Sequence, residues 1–379
     1  LLAFGFALLV FLSACSSPDY TRELAPGQMA LRKIADPSKY PDFAPGFVNR
    51  DAVAGAIDRS LEYLAKPSSK KYFPYLDISH ERAVASLHRL KELLSASASG
   101  SELHSRIVGE FDVYESVGWD DKGTVLFTGY CEPIYEGSLV ADGVFRYPLH
   151  RLPADLVKDP EGRCLGRKTA DGTLVPYYTR REIEEQNLLK GQELVYLRDP
   201  VEAYIVHVQG SARIRLSGGK EIRIGYAGKS DRPYSSLGDA LIRDGKMSKK
   251  ERSLATIKTY FRNNPQDVQR YLALNESYVF FTIREGGPYG SINAPLTPLR
   301  SIATDKAVFP RACAAFAVVA IPADPGFAAF MMDQDTGGAI RAAGRADIFF
   351  GSGPEMEDRA GHTESEGWLY YVFLKTVGT

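Results

Sequence analysis

A chain of 379 residues has room for two domains with cores of their own. Hydrophobic residues make up 44% and charged residues 25%, the balance of a globular protein rather than a disordered or membrane-spanning one. A formal net charge of -1 gives no electrostatic case for nucleic acid or for an anionic membrane surface.

The chain opens on an apolar, uncharged run at residues 1–12, too short to span a bilayer as a helix. It ends in Leu12-Ser13-Ala14-Cys15, which resembles a bacterial lipoprotein signal (1–14) with Cys15 as the lipidated residue. Ser16 stands where an inner-membrane retention signal would have Asp, so the resemblance implies the outer membrane, periplasmic face. An ordinary secretory signal with a chance cysteine is the other reading. Residues 15–48 are rich in Ser, Pro, Asp and Gly without periodicity, and are expected to be a lipid-anchored linker.

Helical spacing follows over 49–129. Val53, Ile57, Leu61 and Leu64 share one face; Leu87, Leu90 and Leu94 share another behind a candidate cap at Ser79. Leu103, Ile107, Val108 and Phe111 suggest a third helix. From about residue 124 the period falls towards two. Thr124–Tyr130 reads as a strand, and Ala212–Leu216 with Lys220–Tyr226 reads as a hairpin around Ser217-Gly218-Gly219. Gln209 and Ser211 are taken to follow a strand. Ser248 and Glu251 spell a capping box ahead of Leu254, Ile257 and Phe261, and Pro265 starts the next helix. Strand-like runs then dominate: Tyr278–Arg284, Ala315–Ile321, Ile348–Phe350 and Trp368–Lys375.

The chemistry concentrates near the C-terminus. Asp335 opens the segment Thr336-Gly337-Gly338, and Asp347 leads into Ile348-Phe349-Phe350-Gly351, an apolar run that reads as a buried strand. A carboxyl on the lip of such a strand is desolvated and holds its proton more tightly, as an acid working near neutral pH must. Turn capping is the plain alternative for both. A third aspartate, Asp305, closes Pro298-Leu299-Arg300-Ser301-Ile302-Ala303-Thr304-Asp305, ahead of Val308-Phe309-Pro310. Together the three resemble the three-aspartate domain of the membrane-bound lytic murein transglycosylase A family.

Further matches lie upstream, in order, from about residue 125. They are Thr128-Gly129-Tyr130-Cys131-Glu132-Pro133, Pro176-Tyr177-Tyr178-Thr179-Arg180 and Asp199-Pro200-Val201-Glu202. Gln209-Gly210-Ser211-Ala212-Arg213, Ile224-Gly225-Tyr226-Ala227 and Ser277-Tyr278-Val279-Phe280-Phe281 complete them.

The resemblance implies a mainly β fold with helices. A double-psi β-barrel domain carries the N-terminal helices (49–129) and the three-aspartate strands (280–379), and is interrupted by an inserted glycan-binding β-barrel domain (130–279). It implies cleavage of the β-1,4 bond between N-acetylmuramic acid and N-acetylglucosamine in peptidoglycan, with a 1,6-anhydromuramyl product. Asp347 matches the catalytic aspartate, with Asp335 and Asp305 beside it; a purely structural, turn-binding role for Asp305 is as good a reading. Thr128, Tyr130, Glu132, Gln209 and Ser211 are candidates for binding substrate. The expected partners are peptidoglycan glycan strands, the outer membrane through the lipid, and a cell-wall synthesis or division complex, with the chain a monomer that binds no nucleic acid. No metal and no cofactor is expected, since Cys131, Cys164 and Cys313 fit no zinc spacing and His207 and His362 stand alone.

Two departures from the family pattern stand out. Cys131 replaces a second Tyr and is expected to be a buried, inert thiol, with pairing to Cys164 or Cys313 the other case. Arg311-Ala312 replaces Leu-Gly after Pro310. Two rival readings remain. Asp335-Thr336-Gly337 spells the aspartic-protease triplet, but that chemistry needs a second copy and the chain has none. A non-catalytic peptidoglycan-binding lipoprotein on the same fold is the alternative from another class.

Overall fold

The computed structural model describes residues 18–160, 162–248, 251 and 253–376. The expected signal segment 1–14 and Cys15 lie outside the described residues. The protein is mainly β with helices packed on its strands.

Six strands close on themselves: Val125–Glu132, Ser301–Ala303, Ala314–Val319, Ala328–Asp335, Arg345–Ser352 and Glu364–Leu374. Val125–Glu132 makes the closure, pairing parallel with Arg345–Ser352 and antiparallel with Glu364–Leu374. Alternation explains the two faces. Phe127, Ile302, Ala315, Ala317, Ala329, Met331, Ala346, Ile348 and Tyr371 form the interior, where many small side chains suit a narrow barrel. The residues between them on one side, Phe316, Phe330, Met332 and Val372, face outward and are covered by the N-terminal helices.

Those helices follow the expected faces. Arg50–Leu64 buries Val53, Ile57 and Leu64, and His80–Ala96 buries Leu87, Leu90 and Leu94 behind Ser79, whose hydroxyl accepts from Arg82 N at 3.1 Å. The third helix, Gly100–Glu110, stops one residue before Phe111, which instead opens the strand Phe111–Ser116. The linker is shorter than expected. Leu31–Lys33 pairs with Phe111–Ser116, and Phe43 is fully buried with its ring centroid 4.9 Å from that of Phe316 and 5.8 Å from that of Phe330. Gly46 is needed beside them, because a Cβ there would meet the Phe330 ring at 2.6 Å. Isolated aromatic and apolar residues in a polar stretch show no period, so the segment reads as a tether although it packs.

A second, six-stranded sheet has the order Val279–Arg284, Glu221–Lys229, Ser211–Leu216, Ile134–Ser138, Glu193–Leu197, Tyr147–His150. The hairpin at its centre pairs Ser211 with Gly225 through to Arg215 with Glu221, and turns on Gly218 and Gly219, both at positive φ. Val279–Arg284 belongs to this sheet, which therefore runs past residue 279 to Arg284. Leu156–Lys158, Cys164–Lys168 and Leu174–Val175 form a small third sheet.

Two local expectations are corrected here. Gln209 ends a helix, Pro200–Gln209, and Ser211 follows that helix, not a strand. Asp199 caps it by accepting from Val201 N and Glu202 N, and its β-branched residues are buried on nearly every side, which erases the helical period. The helix Leu254–Asn263 is capped by Ser253 and not by Ser248, whose hydroxyl and amide both donate to the Glu251 carboxylate in the preceding turn. Pro265 opens a short 3-10 turn, Pro265–Asp267, that runs into the helix Val268–Leu272.

Candidate active site

One row of register partners crosses four neighbouring barrel strands. Thr128 is opposite Asp347, Asp347 is opposite Ala303, and Ala303 is opposite Asp335. Residues in register project to the same side of a sheet, so both carboxylates stand on the outer wall, separated by the methyl group of Ala303. Two strand spacings across a flat sheet amount to about 10 Å. A bulge between Ile302 and Ala303 lets Asp335 enter the row, because Ile302 is opposite Asp333 and Gln334 is skipped.

Asp347 is partly buried and accepts from Thr128 Oγ1 at 2.7 Å; Arg345 Nη2 in turn donates to Thr128 Oγ1 at 3.1 Å. Burial pushes its pKa up to about 6, the Thr128 bond and the Arg345 charge pull against that rise, and Asp335 adds a smaller push upward. Asp335 is also partly buried. Its Oδ2 accepts from the Tyr130 hydroxyl at 2.8 Å, and its Oδ1 from the backbone N–H groups of Ser291 and Thr336, both at 2.8 Å. Burial lifts it to about 6 as well, against the opposing bonds and the charge of Lys306. The Tyr130 ring packs against Phe349 at 5.3 Å between centroids. Thr128, Tyr130, Asp335 and Asp347 thus come together as one cluster.

The other expected residues stand apart from it. Asp305 is buried, and its two oxygens accept from Ala307 N at 3.0 Å and Ala342 N at 2.9 Å. It pins the turn before Phe309 to the loop that joins the Asp335 and Asp347 strands, which is the turn-binding reading. Glu132 is fully buried, accepts from Ser352 Oγ at 2.6 Å, and lies 3.3 Å from both Arg213 Nη2 and Arg223 Nε. Its carboxylate ties the barrel to the second sheet and is not turned to an open wall. Gln209 Oε1 accepts from Cys131 N at 3.1 Å, a tie between the helix before the second sheet's hairpin and the barrel. Ser211 is half-exposed at the start of its strand.

An ion pair went unread in the sequence. Lys306 and Asp333 are both buried and paired, and Asp333 Oδ2 also accepts from Thr304 Oγ1 and the Tyr371 hydroxyl, each at 2.7 Å. The available signal was an acidic residue at an interior position of the apolar strand Ala328–Asp335. Cys131, Cys164 and Cys313 are all unpaired, and burial pushes the Cys131 thiol up to about 12, which leaves it inert. His207 is buried, and its Nδ1 accepts from Val279 N at 3.2 Å.

Known proteins match both parts of the chain. Residues 126–282 match the MltA specific insert domain, and residues 300–373 match the 3D domain. The chain is 32% identical over 273 residues to the membrane-bound lytic murein transglycosylase A of Vibrio cholerae, covering 69% of each chain. The Escherichia coli protein of that name is 29% identical over 289 residues, covering 74% of this chain and 73% of that one. The crystal structure of the membrane-bound lytic murein transglycosylase from Agrobacterium tumefaciens superposes with a TM-score of 0.77 at 27% identity, covering 91% of this chain and 98% of that one. The chain is a member of the membrane-bound lytic murein transglycosylase A family.

Proposed function

We propose that this protein is a lytic transglycosylase that cleaves the β-1,4 bond between N-acetylmuramic acid and N-acetylglucosamine in peptidoglycan. The observation that carries the reading is the Asp347 carboxyl, set in a barrel strand, oriented by Thr128 and held at a pKa of about 6. A group with that affinity donates a proton near neutral pH and takes one back. Asp347 gives its proton to the leaving glycosidic O4 as the bond from C1 to O4 breaks. The muramyl 6-hydroxyl then bonds to C1, and the Asp347 carboxylate takes the hydroxyl proton, closing a 1,6-anhydro ring without water. Because the nucleophile belongs to the substrate, its effective molarity replaces a second, water-activating carboxylate.

Asp335 stabilises positive charge at C1 and tunes Asp347, while Asp305 holds the loop between them. Thr128, Tyr130, Gln209 and Ser211 line or support the glycan groove, and Glu132 braces it. The closed six-stranded ring supports the double-psi reading of the barrel, and the second sheet supports an inserted glycan-binding domain between residues 130 and about 284. The relatives are named membrane-bound, and among the described residues no helix is long and apolar enough to cross a membrane. The Leu12-Ser13-Ala14-Cys15 run supports a lipid on Cys15 at the periplasmic face of the outer membrane, with the protein a monomer serving cell-wall synthesis or division. Unchanged membrane fractionation of Cys15→Ala would remove the anchor from the account.

Digesting purified sacculi and reading the products by mass spectrometry tests the activity. Release of anhydromuropeptides is expected. Binding to sacculi without any such product would leave the non-catalytic alternative.

A further inference from the structure

Near Asp335, the two walls present two cations that make no ion pair among the described residues. Lys229 ends the strand Glu221–Lys229 of the second sheet, opposite Val279. Its ammonium reaches over to the barrel, 3.9 Å from where a Cβ on Gly338 would lie, in the turn that follows Asp335. Arg341 stands three residues further along that turn, and its charge acts on Lys229, which burial already holds below the usual lysine range. Among the described residues neither cation has an ion-pair or hydrogen-bond partner. Neighbouring cations are engaged: Arg213 and Arg223 with Glu132, Lys306 with Asp333, Lys258 with Glu357, Arg345 with Thr128 and Lys158 with the Ala227 carbonyl. Asp305, which reaches the same segment at Ala342, is spent on backbone N–H groups, and Asp335, which opens the turn, is held by the Tyr130 hydroxyl and the Ser291 and Thr336 N–H groups. Lys229 is half-buried and Arg341 exposed, and two like charges facing one turn without an ion-pair partner favour an anion that binds both.

We infer that Lys229 and Arg341, one from each wall, hold a carboxylate carried by the muramyl residue of a glycan lying across Asp335 and Asp347. This rests on the peptidoglycan reading above and adds to it a means of telling peptidoglycan from a neutral polymer of N-acetylglucosamine. The carboxylate has two sources, the stem peptide or the lactyl group once the peptide is removed. Gly338 leaves the space over the turn open for it.

The test is binding, which is separate from turnover. Affinity of the full protein is measured for intact sacculi, for sacculi stripped of peptide by an amidase, and for a neutral N-acetylglucosamine oligomer. Lys229→Met with Arg341→Met should weaken sacculus binding about tenfold, the scale of a lost charge-assisted contact, and leave the neutral oligomer unchanged. Lys229→Arg should retain most of the affinity. Loss confined to intact sacculi assigns the stem-peptide carboxylate; loss on stripped sacculi assigns the lactyl one. Equal losses on all three ligands, or no loss on either form of sacculus, would overturn the inference. Absence of anhydro products from the wild type would strike the proposed reaction and leave this binding result standing.

Discussion

Thr128 and Asp347 share one register position on neighbouring parallel strands, and the threonine hydroxyl donates to the carboxylate at 2.7 Å. A hydrogen bond of this kind favours the ionised form, so it holds the aspartate pKa down against the effect of burial. Thr128→Val keeps the shape and removes the donor. The Asp347 pKa should then rise, and the alkaline limb of the pH–rate profile, where the acid loses its proton, should move to higher pH. An alkaline limb that stays put would show that Thr128 does not set this proton.

The influence of Asp335 on Asp347 runs the other way and is weaker. Its charge raises the Asp347 pKa, but by less than burial does and less than the Thr128 bond lowers it. Asp335→Asn should therefore shift the alkaline limb towards acid, by less than Thr128→Val shifts it towards base. The rate should fall less than it does on loss of Asp347. A complete loss of turnover would make Asp335 the primary acid.

Beneath the row, the Lys306–Asp333 pair is sealed in the barrel with Thr304 and Tyr371. Lys306→Met leaves a buried carboxylate without its cation, which costs about 3–5 kcal/mol of stability. Urea unfolding should show that loss, and adding Asp333→Leu should restore part of it. A cost within about 0.5 kcal/mol, typical of a surface change, would mean the pair is open to water.

Much of this was legible in the sequence, and the failures have common causes. The helices around Ile57 and Leu90 showed their period because one face is buried and the other wet. The hairpin around Gly218 and Gly219 showed its turn chemistry. Asp335 was legible because it ends a strand ahead of Thr336-Gly337-Gly338, and Asp347 because it precedes the apolar run Ile348-Phe349-Phe350. Burial on nearly every side hid the helix before Gly210, since a run from Ala203 to His207 that is wholly buried shows no wet face. Phe43 and Leu31 were hidden because a segment that packs by single side chains has no period. The ion pairs of Glu132 and Asp333 were hidden for a third reason: their partners, Arg213 and Arg223 for one and Lys306 for the other, are brought to them only by tertiary structure.

In the proposed reaction one carboxyl moves both protons, and Asp347→Asn isolates that role. The amide keeps the size of the side chain and its capacity to hydrogen-bond the glycosidic oxygen, but it cannot give or take the proton. General acid–base catalysis contributes about two to four orders of magnitude in rate, and here one residue supplies both halves. Release of anhydromuropeptides from sacculi by the variant should therefore fall by at least about a hundredfold, with sacculus binding retained. A variant that keeps more than about a tenth of the wild-type rate, a barrier change under about 1.4 kcal/mol, would contradict the account and move the acid to another carboxyl.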